Sequence, residues 1–172
     1  MEQESRDNIR QATNLDIPAI LLLVETVLNE YGLPIDLPGT DADLSDIEKN
    51  YILNKGMFYV VEGEHGIIGT AGLFPLDDTS CELRKMYLYR PHRGRGTGSR
   101  LLKMLLQHAR MRGYTYVILE TASVLKEAIA LYTSHGFEPF IPAHMSSRCN
   151  LAYRLSLQPG KSTSKGPGAH RS

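Results

Sequence analysis

Hydrophobic and polar positions change their period several times along the chain, and each change predicts a different secondary structure. Residues 8–12 are predicted to form a short first strand, and a helix follows that Thr13 caps and Gly32 ends. After a stretch interrupted by Pro and Gly, a second helical segment is predicted from about 41–53, closed by Gly56. The first third of the chain is therefore predicted to be mainly helical.

Short β-rich runs dominate the middle of the chain, with turn residues between them that predict an antiparallel meander. The predicted strands are 57–61, 67–75 and 81–89. Helical spacing then returns as far as Gly113. The later predicted elements are a strand at 114–120, a helix at 123–134 and strands at 137–141 and 150–157. Because a strand, a helix and a strand follow one another, parallel pairing is expected there. The predicted fold class is α/β (α+β mixed), with a mixed, mostly antiparallel sheet flanked by helices.

Length and composition fit one domain without a basic surface. The chain has 172 residues, of which 42% are hydrophobic, and one domain usually takes roughly 100 to 200 residues. We expect the domain to span 1–157, because 158–172 lack an apolar cluster and form a basic tail that is expected to be disordered. Nineteen Lys and Arg balance nineteen Asp and Glu, so no overall charge would attract nucleic acid or a membrane surface.

Cysteine usage and the N-terminal segment favour a cytoplasmic protein. Cys81 and Cys149 have no C-x-x-C spacing, which fits free thiols in a reducing compartment. The first seven residues contain acids and no apolar core, unlike an ordinary secretory signal. The apolar run 18–24 is shorter than the roughly 20 residues that span a bilayer. The histidines have no metal-ligand spacing, so no metal is expected.

A glycine-rich segment at 93–98 lies between a predicted strand and a predicted helix. There, unhindered backbone N–H groups and the positive helix end can converge on an anion, and the adjacent Arg side chains add charge. The segment therefore predicts a phosphate-binding loop. The alternatives are a plain glycine-rich turn and a dinucleotide-binding fold in which Glu120 contacts a ribose. A nucleotide P-loop is excluded, because no Gly-Lys-Ser/Thr follows.

The same segment carries a family signature. The pattern R-x-x-G-x-G at 93–98 resembles the acyl-CoA signature of the GNAT superfamily, and A-x-x-x-Y-x-x-x-G-F at 128–137 resembles its second motif. Residues 8–157 follow the family's element order, and the chain resembles a subgroup of single-domain members. This resemblance implies the GNAT-type fold and an acetyl-CoA-dependent N-acetyltransferase, in which a primary amine attacks directly within a ternary complex. At 125, many members have Asn and this chain has Leu.

The resemblance assigns roles to residues around this loop. The loop would hold the phosphates of acetyl-CoA, and the end of the preceding strand would align the pantetheine arm. The cofactor-binding residues so predicted are Met86, Tyr87, Leu88, Arg93, Gly94, Arg95, Gly96, Thr97, Gly98 and Ser99. Tyr132 resembles the tyrosine that protonates the departing thiolate, and the alternative is an aromatic ring packed on the inner face of its helix.

An acceptor amine must lose a proton before it attacks, because an alkyl ammonium has a pKa of about 10.4. Glu82 resembles the general-base glutamate of the histone-acetyltransferase branch. Strand alternation predicts that Glu82, Arg84, Met86 and Leu88 share one face. The alternative for Glu82 is an ion pair with Arg84, which would make it a poor base. Glu120 is the second candidate, and its alternative is a helix-capping or solvated acid.

The acceptor is predicted from six acids between Glu30 and Glu48, an interval without Lys or Arg. A negative rim there would attract a small cationic amine, and a solvated helical face is the alternative. Two other functions remain open, a catalytically weak acyl-CoA-binding sensor and a protein lysine or N-terminal acetyltransferase. The expected partner is a small-molecule amine, not nucleic acid or a membrane, and a homodimer is left open.

Overall fold

The computed structural model describes residues 7–157, so the predicted tail at 158–172 lies outside the described residues. The helices are α1 (Ile17–Glu30), α2 (Thr97–Met111) and α3 (Lys126–Ser134). The strands are β1 (Asn8–Gln11), β2 (Met57–Gly63), β3 (Gly66–Pro75), β4 (Ser80–Leu88), β5 (Tyr116–Thr121), β6 (Glu138–Pro139) and β7 (Leu151–Ser156). None of the described helices is both long and apolar enough to cross a bilayer.

Seven strands form one sheet in the order β1-β2-β3-β4-β5-β7-β6. Every neighbouring pair is antiparallel except β4 and β5, which are parallel and are connected through α2. The crossover helix supplies the length that a parallel connection needs. The predicted mixed, mostly antiparallel sheet flanked by helices is confirmed.

Apolar side chains cover both faces of this sheet. One buried cluster combines Leu102 and Leu105 of α2 with Val117 of β5. A second cluster combines Ile20 of α1 with Phe58 of β2. Each fully buried aliphatic or aromatic side chain contributes about 1.5 to 3 kcal/mol, so the two clusters fix α1 and α2 on opposite faces.

The helical segment predicted at about 41–53 is not one continuous helix. A 3-10 turn at Ala42–Ser45 and a π-helical turn at Glu48–Ile52 occupy this region, and between them Asp46 has an extended backbone. The Asp46 carboxylate accepts hydrogen bonds from the Lys49 amide and the Asn14 side chain. A short acidic side chain that bonds nearby groups competes with the helical backbone, which explains the break.

Strand β4 contains a bulge at Lys85. Gly72 of β3 pairs with Arg84, whereas Thr70 pairs with Tyr87, so two residues of β4 face one residue of β3. Lys85 adopts a φ of 55°, which is left-handed and uncommon for a residue with a side chain. A bulge of this kind reverses which face the following side chains occupy.

The bulge contradicts the predicted single face of β4. Met86 packs with the cluster that contains Leu83, on the α2 face of the sheet. The Arg84 guanidinium lies 3.9 Å from the ring centre of Phe74, which packs with the cluster on the α1 face. Glu82 and Arg84 therefore share one face, and Met86 lies on the other.

The late strand predicted at 137–141 is shorter than expected. It contains only Glu138–Pro139, paired with β7. Pro139 and Pro142 lack a backbone N–H group and cannot donate hydrogen bonds to a neighbouring strand. The rest of this region, up to Asn150, is an irregular connection that runs beside the candidate site.

Candidate active site

The candidate site is a gap that opens between β4 and β5. Their pairing ends at Glu82 and Ile118, although β4 continues to Leu88 and β5 to Thr121. The two strands therefore diverge, and a cavity of about 960 Å³ lies between them. This is at the upper end of ordinary ligand pockets, which measure about 300 to 1,000 Å³.

The cavity brings together most of the residues predicted from the sequence. All three catalytic candidates, Glu82, Glu120 and Tyr132, line it. The predicted cofactor residues that line it are Met86, Tyr87, Leu88, Arg93, Gly94, Gly96, Gly98 and Ser99. Arg95 and Thr97 are not among its lining residues. The irregular connection after β6 contributes lining residues from His144 to Cys149, which the sequence analysis did not assign to the site.

Backbone amides converge at the start of α2. Gly96 has a φ of 83° and stands immediately before the helix, where no described side chain caps the backbone. Within residues 7–157, the amides of Thr97, Gly98 and Ser99 have no hydrogen-bond acceptor, and the first bond of this turn runs from the Arg100 amide to the Gly96 carbonyl. Free amides at the positive end of a helix form the geometry that binds anions.

The Arg93 side chain bonds to protein groups on both sides of the loop. Its Nε donates to the Leu88 carbonyl at 2.9 Å, and its Nη1 and Nη2 atoms lie 2.9 and 3.1 Å from the Glu30 carboxylate. Arg93 therefore ties the end of β4 to the end of α1. Arg95 is exposed, and no described carboxylate lies within ion-pair distance of it. Its positive charge is thus free beside the loop.

Ser99 is held by a residue that the sequence analysis did not place in the site. The Ser99 hydroxyl lies 3.1 Å from Nε2 of His135, and the Nδ1 atom of His135 lies 2.9 Å from the Leu131 carbonyl. Because a carbonyl oxygen only accepts, Nδ1 carries a proton, and in the neutral ring Nε2 accepts from Ser99. His135 stands immediately before the Gly-Phe pair of the second motif, and this adjacency is the only sequence signal.

Tyr132 combines packing with access to the cavity. Its ring centre lies 5.9 Å from that of Phe137, and the side chain is buried. No hydrogen bond joins its hydroxyl to another group of residues 7–157. Burial raises the pKa of Tyr132, and the nearby Tyr87 and Cys149 add to this. The hydroxyl therefore keeps its proton near neutral pH and is free to donate it.

Glu82 is bound to Arg84. The Arg84 Nε atom donates to the Glu82 carboxylate at 2.7 Å, and Arg84 also lies 3.8 Å from the Asp43 carboxylate. The ion pair that the sequence analysis set against a general-base role is therefore present. A carboxylate held by an arginine on the same strand is less available to an incoming amine.

Glu120 has no such partner. Its carboxylate accepts one long hydrogen bond, 3.4 Å from the Ser146 amide. In the part of the chain that the structure describes, no Lys, Arg or His lies within 4.0 Å of it. The first turn of α3 has no side-chain cap, so the helix-capping alternative for Glu120 is wrong. Glu120 is an unpaired carboxylate on the wall of the cavity.

The cysteine thiols are poorly ionised. Burial raises the pKa of Cys81 to about 12. Burial also raises the pKa of Cys149, and the nearby Glu120 and Glu82 charges act in the same direction. A thiol is nucleophilic as its thiolate, so neither cysteine is activated for attack. Glu82, Glu120 and Cys149 all line the same cavity.

Three of the six acids between Glu30 and Glu48 are ion-paired and do not contribute to a free negative rim. Asp41 is fully buried, and the Asp36 carboxylate accepts a hydrogen bond from the Thr40 amide. The ion pairs in this group are Glu30 with Arg93, Asp41 with Lys85, Asp41 with Arg148, Asp43 with Lys85, and Asp43 with Arg84. The prediction of uncompensated acids is therefore wrong for Glu30, Asp41 and Asp43, whose partners lie far away in the sequence. Asp36, Asp46 and Glu48 have no ion pair within residues 7–157.

Comparison with known proteins identifies the family. A sequence model of the Acetyltransferase (GNAT) family matches residues 24–137. The chain belongs to this family. It is an acyltransferase, and it is 39% identical over 135 residues to the uncharacterized N-acetyltransferase YjgM of Escherichia coli, covering 76% of this chain and 81% of YjgM. Human N-acetyltransferase 8B is 34% identical over 128 residues, covering 71% of this GNAT chain and 55% of the human protein.

Solved structures share the fold of this GNAT protein. An acetyltransferase of the GNAT family from Staphylococcus aureus aligns with a TM-score of 0.83 and 24% identity, covering 88% of this chain and 99% of that one. A phosphinothricin acetyltransferase from Sinorhizobium meliloti, in complex with acetyl-CoA, aligns with a TM-score of 0.68 and 20% identity, covering 94% and 93%. The predicted GNAT-type fold is confirmed.

Proposed function

We propose that this GNAT protein binds acetyl-CoA in the gap between β4 and β5 and transfers its acetyl group to a small primary amine. The observation that carries the proposal is the layout of this gap. Free amides of α2 lie at one end, and an unpaired carboxylate and a protonated tyrosine lie on its walls. Family membership indicates acetyl transfer, and the layout of the gap is the basis on which we assign a role to each protein group.

The phosphates of acetyl-CoA are assigned to the start of α2. The amides of Thr97, Gly98 and Ser99 offer three donors with the helix dipole behind them, and Arg95 adds a nearby charge. The Arg93 side chain acts through the fold, because it already binds Glu30 and the Leu88 carbonyl. The role of this signature arginine would then be to fix the end of β4 relative to the loop.

The pantetheine arm is assigned to the unpaired edge of β4. From Met86 to Leu88 this strand has β3 on one side and no strand on the β5 side within the described chain. Backbone groups on that edge can bond the amides of an extended ligand. Gly98 also lies close to this edge, because a side-chain carbon in its place would be 3.5 Å from Leu88 and 3.9 Å from Met86. The unpaired edge of β4 therefore leads directly to the phosphate loop.

The chemistry assigns Glu120 as general base and Tyr132 as general acid. The amine nitrogen attacks the thioester carbonyl, the new C–N bond forms, and the C–S bond breaks. Glu120 accepts the proton that the amine loses, and the Tyr132 hydroxyl donates a proton to the leaving thiolate sulfur. Proton transfer of this kind contributes about 10²- to 10⁴-fold to a rate. Glu82 is the less suitable base, because Arg84 already holds it.

We place the amine in the part of the cavity that Glu82, Glu120 and Arg148 line, which we call the acceptor end, and its charge favours an amine with one positive charge. Three carboxylates there are matched by three cationic side chains, which leaves Glu120 as the one uncompensated charge of this group. The matched groups are Glu82, Asp41 and Asp43 with Arg84, Lys85 and Arg148. A small monoamine would place its ammonium beside Glu120, whereas further charges of a polyamine would find no partner.

A thiol-release assay with acetyl-CoA tests the proposal. The panel contains monoamines, amino acids, polyamines, aminoglycosides and peptides, and calorimetry measures acetyl-CoA binding separately. We expect calorimetry to show acetyl-CoA binding, and we expect rapid thiol release when a monoamine is the acceptor. Binding without amine-dependent release would identify an acyl-CoA sensor instead. A preference for peptides would identify a protein acetyltransferase, and absence of binding would remove the proposal.

A further inference from the structure

The Asp41 carboxylate, at the acceptor end of the cavity, has all of its hydrogen-bond acceptor sites occupied by protein groups. Its side chain is fully buried and accepts four contacts. Its Oδ1 atom lies 2.9 Å from Nζ of Lys85 and 2.9 Å from Nη2 of Arg148. Its Oδ2 atom lies 2.6 Å from Nη1 of Arg148 and 2.9 Å from the Asp36 amide. A carboxylate offers about four lone-pair sites, so no acceptor capacity remains for a substrate.

The Lys85 contact connects Asp41 to the bulge of β4. Lys85 holds its left-handed backbone with an ammonium group that is almost fully buried. That ammonium group also donates to the Thr40 carbonyl at 3.1 Å and lies 3.2 Å from the Asp43 carboxylate. A left-handed residue with a side chain is unfavourable unless its surroundings fix it, and these contacts do so. The bulge in turn determines which side chains of β4 line the gap.

The Arg148 contact connects Asp41 to the connection between β6 and β7. Besides its bidentate bond to Asp41, Arg148 donates to the Pro34 carbonyl at 3.1 Å. The connection supplies His144 to Cys149 to the cavity wall. It is irregular, and its other described bonds near Glu120 are the 3.4 Å contact of the Ser146 amide, the bond of the Cys149 amide to the Ser146 carbonyl, and the bonds of Asn150.

We infer that Asp41 is a positioning residue for the acceptor amine, because it fixes the β4 bulge and the β6–β7 connection relative to one another across the acceptor end. This inference rests on the proposed function of the cavity. Asp41 touches neither reacting atom. It acts through Lys85 and Arg148, both of which line the cavity. Loss of this link should loosen the acceptor end and leave the phosphate loop, which lies at the other end of the gap, unchanged.

The test compares Asp41→Asn and Arg148→Lys with the control Asp46→Asn. Asp41→Asn keeps the side-chain shape and removes the charge, whereas Arg148→Lys keeps the charge and removes the bidentate geometry. Asp46 is an acid of the same segment that bonds Asn14 and the Lys49 amide and does not line the cavity. Each variant is assayed with the best amine of the thiol-release panel and with weaker amines.

For the two network variants we expect the acceptor KM to rise at least tenfold, with acetyl-CoA affinity within about threefold of the unaltered protein. The ratio of kcat/KM between the best amine and the weaker amines should also decrease. Loss of stability alone would not change this ratio. Asp46→Asn should change none of these quantities. An unchanged acceptor KM and selectivity in folded Asp41→Asn would overturn the inference.

Amide hydrogen exchange provides a second test that needs neither a folded Asp41→Asn variant nor an acetylated amine. In Arg148→Lys, amides of 142–149 should exchange at least tenfold faster, while those of α2 keep their rates. Equal exchange in 142–149 would overturn the inference. Acetyl-CoA binding without thiol release in the unaltered protein would overturn the proposed function alone, because the exchange result does not depend on turnover.

Discussion

The contrast between Glu120 and Glu82 gives a prediction in which two similar substitutions have opposite effects. Glu120→Gln and Glu82→Gln each replace one carboxylate by an amide of the same shape, in the same cavity. We expect Glu120→Gln to lose turnover and keep stability. Glu82→Gln should lose stability and keep most of its turnover. Each variant is the matched control of the other.

The expected sizes follow from the partners of each carboxylate. Glu120 accepts one hydrogen bond of 3.4 Å and has no ion pair within the described chain. Its replacement should therefore change the melting temperature by less than about 2 °C. Loss of a general base lowers kcat by about 100-fold, equivalent to about 2.7 kcal/mol. Glu82 receives a 2.7 Å bond from a partly exposed Arg84, which we value at about 1 kcal/mol, or about 2 to 4 °C.

The assay measures kcat by thiol release with the best amine, and melting temperature by calorimetry. The pH profile adds a second criterion, because the limb that reports the base should disappear in Glu120→Gln and persist in Glu82→Gln. If Glu82→Gln loses 100-fold in kcat and Glu120→Gln loses less than threefold, the assignment is reversed. If neither substitution lowers kcat, proton removal does not depend on either carboxylate.

Three further predictions concern the loop, the acid and the buried carboxylate. Gly96→Ala should weaken acetyl-CoA binding about tenfold in calorimetry, because φ is 83° there. Gly98→Ala should change binding less than threefold, because the added carbon would lie 3.4 Å from its nearest neighbour, Leu131, which is an ordinary contact distance. Tyr132→Phe should keep acetyl-CoA affinity and lower kcat about 100-fold, and equal turnover would assign Tyr132 to packing alone. Burial opposes the charge of Asp41, but bonds from Arg148, the Asp36 amide and Lys85 lower its pKa below the unfolded value. Its stabilisation is therefore full above about pH 5 and is lost progressively as the pH falls below about 4, so the melting temperatures of the unaltered protein and Asp41→Asn should differ by a constant amount from pH 7 to pH 5 and approach one another only below about pH 4.

The glycine loop and the strands around it could be predicted from the sequence because local rules determine them. Glycines at a strand-to-helix junction, apolar spacing in α2, and alternating runs in β2 and β3 each depend on neighbours within a few residues. The position of Tyr132 on the cavity wall was predicted by its motif. The assignment of catalytic roles to Tyr132, Glu82 and Glu120 stays a prediction.

The errors arose where distant residues determine the outcome. Asp41 is neutralised by Lys85 and Arg148, and the second of these lies 107 positions away, so counting charges within 30–48 could not reveal it. The bulge at Lys85 has no local signal, because lysine is an unusual residue for a left-handed backbone. These contacts neutralise half of the predicted negative rim, and the bulge divides β4 between the two faces of the sheet.

The divergence of β4 and β5 also affects how the protein avoids association with other copies of itself. An open strand edge is a template for another chain, and many proteins protect such edges with charges, proline or a covering element. Here the open edge of β4 lies inside a cleft, with β5 opposite and the 144–149 segment along its wall. We expect that cleft to admit a thin extended molecule more readily than a second strand of another copy. Freeing the 144–149 segment should therefore expose the edge, and Arg148→Lys should aggregate at a lower temperature than the unaltered protein.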